Sequence, residues 1–338
     1  APQGTLPTYA YETRDLDVTS QGQTLPGRLY VPAADAAVPL VVCSHGLCSA
    51  PDDVAPVAQA LARLGLAAYC PSFRGGGPGS VGDMTRMSVM TEVADLEAVL
   101  TAARTATGGW EVVDPGRIVL LGQSQGGEVS AVTAARHPEQ VAGLVLWYPA
   151  FSITDTLHSL YTSLDAVPQD YSFLGCALGR VYAQDMWDYD VYTEIAGYTA
   201  PVLIVHGSDD LVVPYRYSER ARTTYPDAEL VRIDGAGHGF DEGPQEQQAL
   251  AAQSIQPKVT PVEVPGGTGG NRLDWQVKAI PPWLQDRKTD EVPITCAGII
   301  VDGPGGDSYG VYVFADPKIP ESQNRMSSVL ASVAVNAS

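Results

Sequence analysis

Nowhere in these 338 residues do about 18 apolar side chains follow one another without interruption, which excludes a membrane-spanning helix on hydropathy. Ala1 to Thr8 has neither the basic start nor the apolar stretch of a secretory leader. Basic side chains are scarce: 20 Lys and Arg stand against 39 Asp and Glu, and the resulting charge of −19 repels nucleic-acid phosphates and anionic lipid alike. Neither nucleic acid nor membrane is expected as a partner. Cysteine is sparse too. Cys43, Cys48, Cys70, Cys176 and Cys296 are odd in number, and Cys43 and Cys70 each end an apolar run, so they read as small buried hydrophobes rather than a disulfide framework. A cytoplasmic location follows as an expectation. Cysteines and histidines do not cluster at ligand spacing, so no metal and no cofactor is expected.

What is present is ordinary globular composition, 45% hydrophobic and 17% charged, in a chain long enough for a large domain and a small one. Short apolar runs alternate with helical patterns, which predicts an α/β fold with a mostly parallel sheet and helices on both faces. The strand candidates are Leu40 to Cys43, Leu66 to Cys70, Ile118 to Leu121, Leu144 to Trp147, Val202 to Val205 and Leu230 to Ile233. Between them, Val54, Val57, Ala58, Leu61 and Leu64 share one helical face, as do Val93, Leu96, Leu100 and Ala103. Upstream, Tyr9 to Val18 and Thr24 to Val31 read as strands pairing antiparallel at the sheet edge.

Two regions interrupt this order. Some fifty residues separate the strand near Trp147 from that at Val202, too long for a simple connection, and predict an inserted, aromatic-rich cap over about residues 149–199. The main domain is expected to span 1–256, closing on a helix over 244–255. PKVTPVEVPGGTGGN, 257–271, reads as a Pro/Gly linker. Residues 272–338 then form either a small β-module, through WQVKAI, ITCAGIIVDG and YGVYVFAD, or a loosely ordered tail.

The stretch richest in chemistry is LLGQSQGGEVSAV, Leu120 to Val132. An apolar strand enters G-x-S-x-G at Gly122 to Gly126 and a helical pattern follows at once. This is a nucleophile elbow, in which a tight turn lifts the Ser124 hydroxyl above the sheet and glycines remove Cβ atoms that would collide with neighbouring backbone. The bland alternative is a Gly-rich turn with a solvated serine. A serine hydroxyl needs a base to take its proton and an acid to orient that base. Both follow in chain order: APVLIVHGSDDLVVP offers Asp209 and Asp210 after a strand, and LVRIDGAGHGF carries His238 in a Gly-flanked loop. His45 and His206 sit in H-G turns after strands and read as structural, with His45 shaping an oxyanion loop. Either Asp209 or Asp210 can orient the base on this reading. The oxyanion donors are expected to be the backbone N–H of Gln125, the residue after the nucleophile, and that of Leu47 in the loop VVCSHGLCSA.

With these residues in place, the sequence resembles the α/β-hydrolase superfamily from roughly Tyr9 to Ile255. SFRGGGPGSVGDMTRMSVMTEVADLEAVL, Ser72 to Leu100, is similar to the D-F-x-G-H-G-x-S to E-x-x-D-L segment of bacterial cinnamoyl (feruloyl) esterases and related serine-aminopeptidase-like hydrolases. The resemblance implies Ser124 as nucleophile, His238 as base, Asp210 as acid and a cap over the acyl pocket, in which Tyr182 is a candidate substrate contact. The chain departs from the family at Gln123 and Gly76, where histidine is common, and at Leu47 and Cys48, where an aromatic and a small polar residue are usual. The function expected is a carboxylic-ester hydrolase acting through an acyl-enzyme, on small-molecule aryl (hydroxycinnamoyl, feruloyl-type) or short-chain esters. A serine peptidase of the prolyl-oligopeptidase type, or a non-catalytic ligand-binding protein on the same fold, are the alternatives.

Overall fold

A computed structural model of the chain describes residues 8–240, 258–265, 269–279, 292–302, 308–315 and 320–331. The chain divides into two compact units, Ala1–Phe240 and Asp241–Ser338. In the first, apolar runs become the strands of a mostly parallel sheet, buried on both faces near its centre and largely exposed at its last edge strand. They are β4 (Gly27–Pro32), β5 (Val38–Ser44), β6 (Ala67–Pro71), β7 (Val113–Gln123), β8 (Gly143–Trp147), β11 (Val202–Gly207) and β12 (Ala228–Ile233). With β1 (Tyr11–Asp15) they form an eight-stranded sheet in the order β1-β4-β6-β5-β7-β8-β11-β12. β1 and β4 run antiparallel at one edge, and the strands from β6 to β12 are parallel.

The expected long strands Tyr9 to Val18 and Thr24 to Val31 are broken. Gln21 and Gly22 both take positive φ, 45° and 80°, and such a two-residue turn closes a tight hairpin. Its arms, β2 (Val18–Ser20) and β3 (Gln23–Leu25), form a separate two-stranded sheet.

Crossover helices cover the sheet. α1 (Pro51–Arg63) buries Val54, Ala58 and Ala62. Leu64, expected on that face, instead ends the helix and is 47% exposed. α2 (Val89–Arg104) is capped by Ser88, whose hydroxyl accepts from Thr91 N while Thr91 Oγ1 accepts from Ser88 N. It buries Val93, Leu96, Leu100 and Ala103, together with two carboxyl groups, Glu92 and Asp95. α3 (Gln125–Arg136) follows β7 directly. Between β8 and β11 the chain forms α4 (Ile153–Leu160), the hairpin β9 (Asp170–Phe173) and β10 (Cys176–Gly179), α5 (Arg180–Met186) and α6 (Val191–Ile195). α7 (Arg216–Thr224) links β11 to β12. Cys43, Cys48, Cys70 and Cys176 are free thiols.

The second unit holds an antiparallel sheet, β13 (Lys258–Pro261), β14 (Gly269–Ala279), β15 (Val292–Asp302) and β16 (Ser308–Ala315), in that spatial order, and the helix α8 (Pro320–Ala331). Part of the stretch read as a linker is therefore strand. Lys258 to Pro261 pairs with Asn271 to Asp274, and the proline is tolerated because β13 is an edge strand, where a missing N–H breaks no ladder. The helix expected over 244–255 lies outside the described residues. Among the described residues no helix is long and apolar enough to cross a membrane.

Candidate active site

Ser124 sits where β7 turns into α3, with φ 51° and ψ −119°, a conformation that L-residues rarely adopt. Its neighbours hold it there. Ser124 N donates to Trp147 O at 3.0 Å, while Ser124 O accepts from Gly127 N and Ala150 N, both at 2.9 Å. The flanking glycines are sterically required: a Cβ on Gly122 would overlap the Gly126 carbonyl, and one on Gly126 the carbonyls of Ser44 and His45. The strained turn thus sets the end of β7 tightly against the loop after β5.

The loops after β11 and β12 bring the other two groups to this turn. His238 Nε2 lies 2.9 Å from Ser124 Oγ, and His238 Nδ1 lies 2.7 Å from Asp210 Oδ2. Asp210 is 4% exposed, whereas Asp209 is exposed and accepts from its neighbour Ser208 Oγ. Of the two adjacent acids, only Asp210 faces the histidine. Its Oδ1 accepts from the N–H groups of Val212 and Val213 at 2.9 and 2.8 Å. Burial alone would raise the Asp210 carboxyl. Hydrogen bonds from His206 and His238, the His238 charge and the Val213 N–H outweigh it and hold the group down at about 2, so it stays a carboxylate.

His206 reads in the sequence as a turn residue only, and the structure gives it a defined partner set. It is fully buried, with Nε2 3.0 Å from Asp210 Oδ2 and 2.8 Å from Val213 O, and Nδ1 2.6 Å from Ser218 Oγ. Because Nε2 faces a carboxylate and a carbonyl, it carries the proton, and Nδ1 accepts from the serine. Tyr148, at φ 38°, packs edge-on against the His238 ring at 4.6 Å and restricts its rotation. Nothing in its local sequence distinguishes it.

Gln125 and Leu47, the expected oxyanion donors, both line the pocket with Ser124. Gln125 is the first residue of α3, where the N–H has no intrahelical carbonyl to bond and the helix dipole favours negative charge. Leu47 stands on the loop after β5, ahead of Cys48 at φ 58°, and shares a cavity wall with Ser124 and Gln125. His45 is buried with Nδ1 2.9 Å from Gly46 O, and burial lowers its pKa, so it stays neutral and structural. His137 pairs with Glu97 and His158 packs edge-on against Trp187, and neither contacts this cluster.

Ser124 opens into a pocket between the sheet and the cap. Its wall is apolar, formed by Leu47, Ile153, Leu157, Leu178 and Val213 with the rings of Tyr171, Phe173 and Tyr182. Tyr182 is 3% exposed, and its hydroxyl is already engaged, donating to Gln125 Oε1 at 2.7 Å. Among the described residues, no cluster of His, Cys, Asp and Glu is arranged to hold a metal ion.

Residues 35–174 match the family model for serine aminopeptidase, S33, and residues 171–252 that for TAP-like proteins. An uncharacterized protein of Mycobacterium tuberculosis is 30% identical over 234 residues, covering 68% of this chain and 73% of that one. The alpha/beta hydrolase domain-containing protein 17C of Xenopus tropicalis is 26% identical over 238 residues, 68% and 67% of the two chains. Among solved structures, Est1E of Butyrivibrio proteoclasticus with ferulic acid bound superposes with a TM-score of 0.62 at 23% identity, over 71% of this chain and 97% of that one. At that identity the likeness establishes the fold.

Proposed function

The chain belongs to the α/β-hydrolase superfamily, and we propose that it is a serine carboxylic-ester hydrolase with Ser124 as nucleophile, His238 as base and Asp210 as orienting acid. The observation that carries this reading is the continuous line Asp210–His238–Ser124, bonded at 2.7 and 2.9 Å across three loops distant in sequence. Ser124 Oγ attacks the ester carbonyl carbon as His238 Nε2 takes its proton. The carbonyl oxygen becomes an oxyanion facing the N–H groups of Gln125 and Leu47. Collapse breaks the C–O bond to the alcohol, which leaves with the proton from His238. A water, deprotonated by the same imidazole, then releases the acid and restores Ser124.

The acyl part is the group that fits the apolar cavity. Three aromatic rings among aliphatic side chains suit an aryl acyl group of the hydroxycinnamoyl type or a short aliphatic one. The S33 family model raises a peptidase as a second reading. No acidic side chain stands among the described residues that line the cavity, so a peptide's free amine finds no counter-charge there. A fluorophosphonate probe is expected to label the protein and to leave Ser124→Ala unlabelled. An unlabelled wild-type chain would instead point to a ligand-binding protein without turnover.

A further inference from the structure

Directly behind the nucleophile lies a row of three buried side chains from three helices. Glu92, in α2, is fully buried and its Oε2 accepts from Gln125 Nε2 at 2.9 Å. Gln125, the first residue of α3, uses its Oε1 to accept from Tyr182 of the cap helix α5 at 2.7 Å. Ser88, at the N-cap of the same α2, also bonds Asp185 of α5. Helix α2 is thus the platform on which both the nucleophile helix and the cap helix are fastened, and Gln125 is the shared link.

Glu92 has no cation for a partner. Gln125 contacts it from α3, with Met87 Sδ 3.6 Å from the same amide nitrogen. From the loops, Gly76 brings no Cβ, which would otherwise stand 3.0 Å from Glu92 Oε1 and 3.0 Å from His45 Cε1, and His45 is neutral. Asp95, one turn along α2, is a carboxylate already bound by Arg74 Nε at 2.7 Å, and it adds repulsion rather than relief. Glu128 of α3 is buried as well, and desolvation pushes its carboxyl well above the ordinary value. The second oxygen of Glu92, Oε1, has no hydrogen-bond partner. A carboxyl so placed is most stable as the neutral acid.

We propose that Glu92 is a positioning residue for the serine site: its neutral carboxyl anchors Gln125, and through Gln125 the wall residue Tyr182, while its ionisation weakens oxyanion binding. The inference rests on the esterase reading above. Two physical effects act together. The carboxyl fixes the side chain of the residue whose backbone N–H faces the oxyanion, so losing it frees that residue to move. An ionised Glu92 places a buried negative charge beside a site that must accept another, where low dielectric makes the repulsion large. Burial pushes the Glu92 carboxyl up to about 8, with Asp95 contributing and the Gln125 hydrogen bond opposing. Ionisation of Glu92 therefore lowers activity as the pH rises above that value.

The test is the pH profile of kcat for hydrolysis of p-nitrophenyl butyrate, with the Ser124→Ala rate subtracted at each pH. The wild-type protein is expected to lose activity above about pH 8. Glu92→Gln keeps the acceptor for Gln125 and cannot ionise. It should restore kcat to within about threefold of wild type at pH 7 and remain flat to pH 10. Glu92→Ala should lower kcat at least tenfold at every pH with a smaller change in KM. A Glu92→Gln profile with the wild-type alkaline limb would overturn the proposal even if Glu92→Ala failed to fold. Wild-type protein with no Ser124-dependent turnover would sink the esterase reading and this inference with it, whereas turnover with an unmoved limb sinks this inference alone.

Discussion

His206 donates its Nε2–H to Oδ2 of Asp210 at 3.0 Å, the same carboxylate oxygen that faces the His238 ring. The acid is thus held from behind by a buried histidine and from below by two backbone N–H groups. Its orientation is set before any substrate arrives, which is what orienting an imidazole requires.

Replacing His206 with Ala should remove that support and leave Ser218 Oγ and Val213 O without partners in a buried site. We expect a loss of about 2 to 4 kcal/mol in stability and a kcat lowered by roughly 10-fold, smaller than the effect of removing Asp210 itself. Thermal melting and steady-state kinetics on one ester measure the two effects. An unchanged melting temperature would mean that the histidine is not the buttress its contacts indicate.

Ser124→Ala and His238→Ala should each lower kcat by about 10³-fold or more, and the double variant should be little worse than either single, because the two groups act as one unit. Near-normal turnover by purified Ser124→Ala would exclude the mechanism.

Asp210→Asn should cost about 10³- to 10⁴-fold in kcat as the imidazole loses its orienting charge and tautomer. Asp209→Asn, altering an exposed side chain bonded only to its neighbour Ser208, should cost less than about 10-fold. Reversed effects would place the acid one residue earlier.

Stability should depend on pH through Glu92 in a stated direction. The folded-state carboxyl titrates at about 8, against 4.5 for an unperturbed glutamate, so the stability it provides is full below about 4.5 and is lost as pH rises through 8. Glu92→Gln has no proton to lose. Its melting temperature should match wild type near pH 5 and exceed it by several degrees near pH 8.5. Equal melting curves at both pH values would show that the carboxyl ionises freely in the folded protein.

The rings of Tyr171, Phe173 and Tyr182 make a substrate prediction. Ring stacking adds about 0.5 to 1.5 kcal/mol beyond area burial, equivalent to ~2- to 13-fold in kcat/KM if present in the transition state. Methyl ferulate should exceed an aliphatic methyl ester of matched length by about that factor, and Tyr182→Ala should harm the aryl substrate more. Equal rates would describe a general short-chain esterase.

The sequence alone determined the features that depend on neighbours along the chain. Alternating apolar runs and helical faces defined the parallel sheet, because burial on both sides of a strand leaves a continuous hydrophobic signature. The strand-turn-helix at Ser124 was legible because its parts are contiguous, and the order serine, acid, histidine pointed to loops that the fold brings to Ser124. Tertiary structure decided what depends on direction and on distant contacts. Asp209 and Asp210 are equivalent in spacing, and only the turn after β11 sends one inward and the other to solvent. Glu92 acquires its place behind Ser124 only through Gln125, 33 residues away, and the cap residue Tyr182. His206 looked like a turn residue because Ser218 and Val213, which reveal its role, lie beyond the turn itself. The Pro/Gly stretch at 257–271 became in part an edge strand, since its extended backbone found β14 as a partner, and local composition does not encode pairing across a sheet.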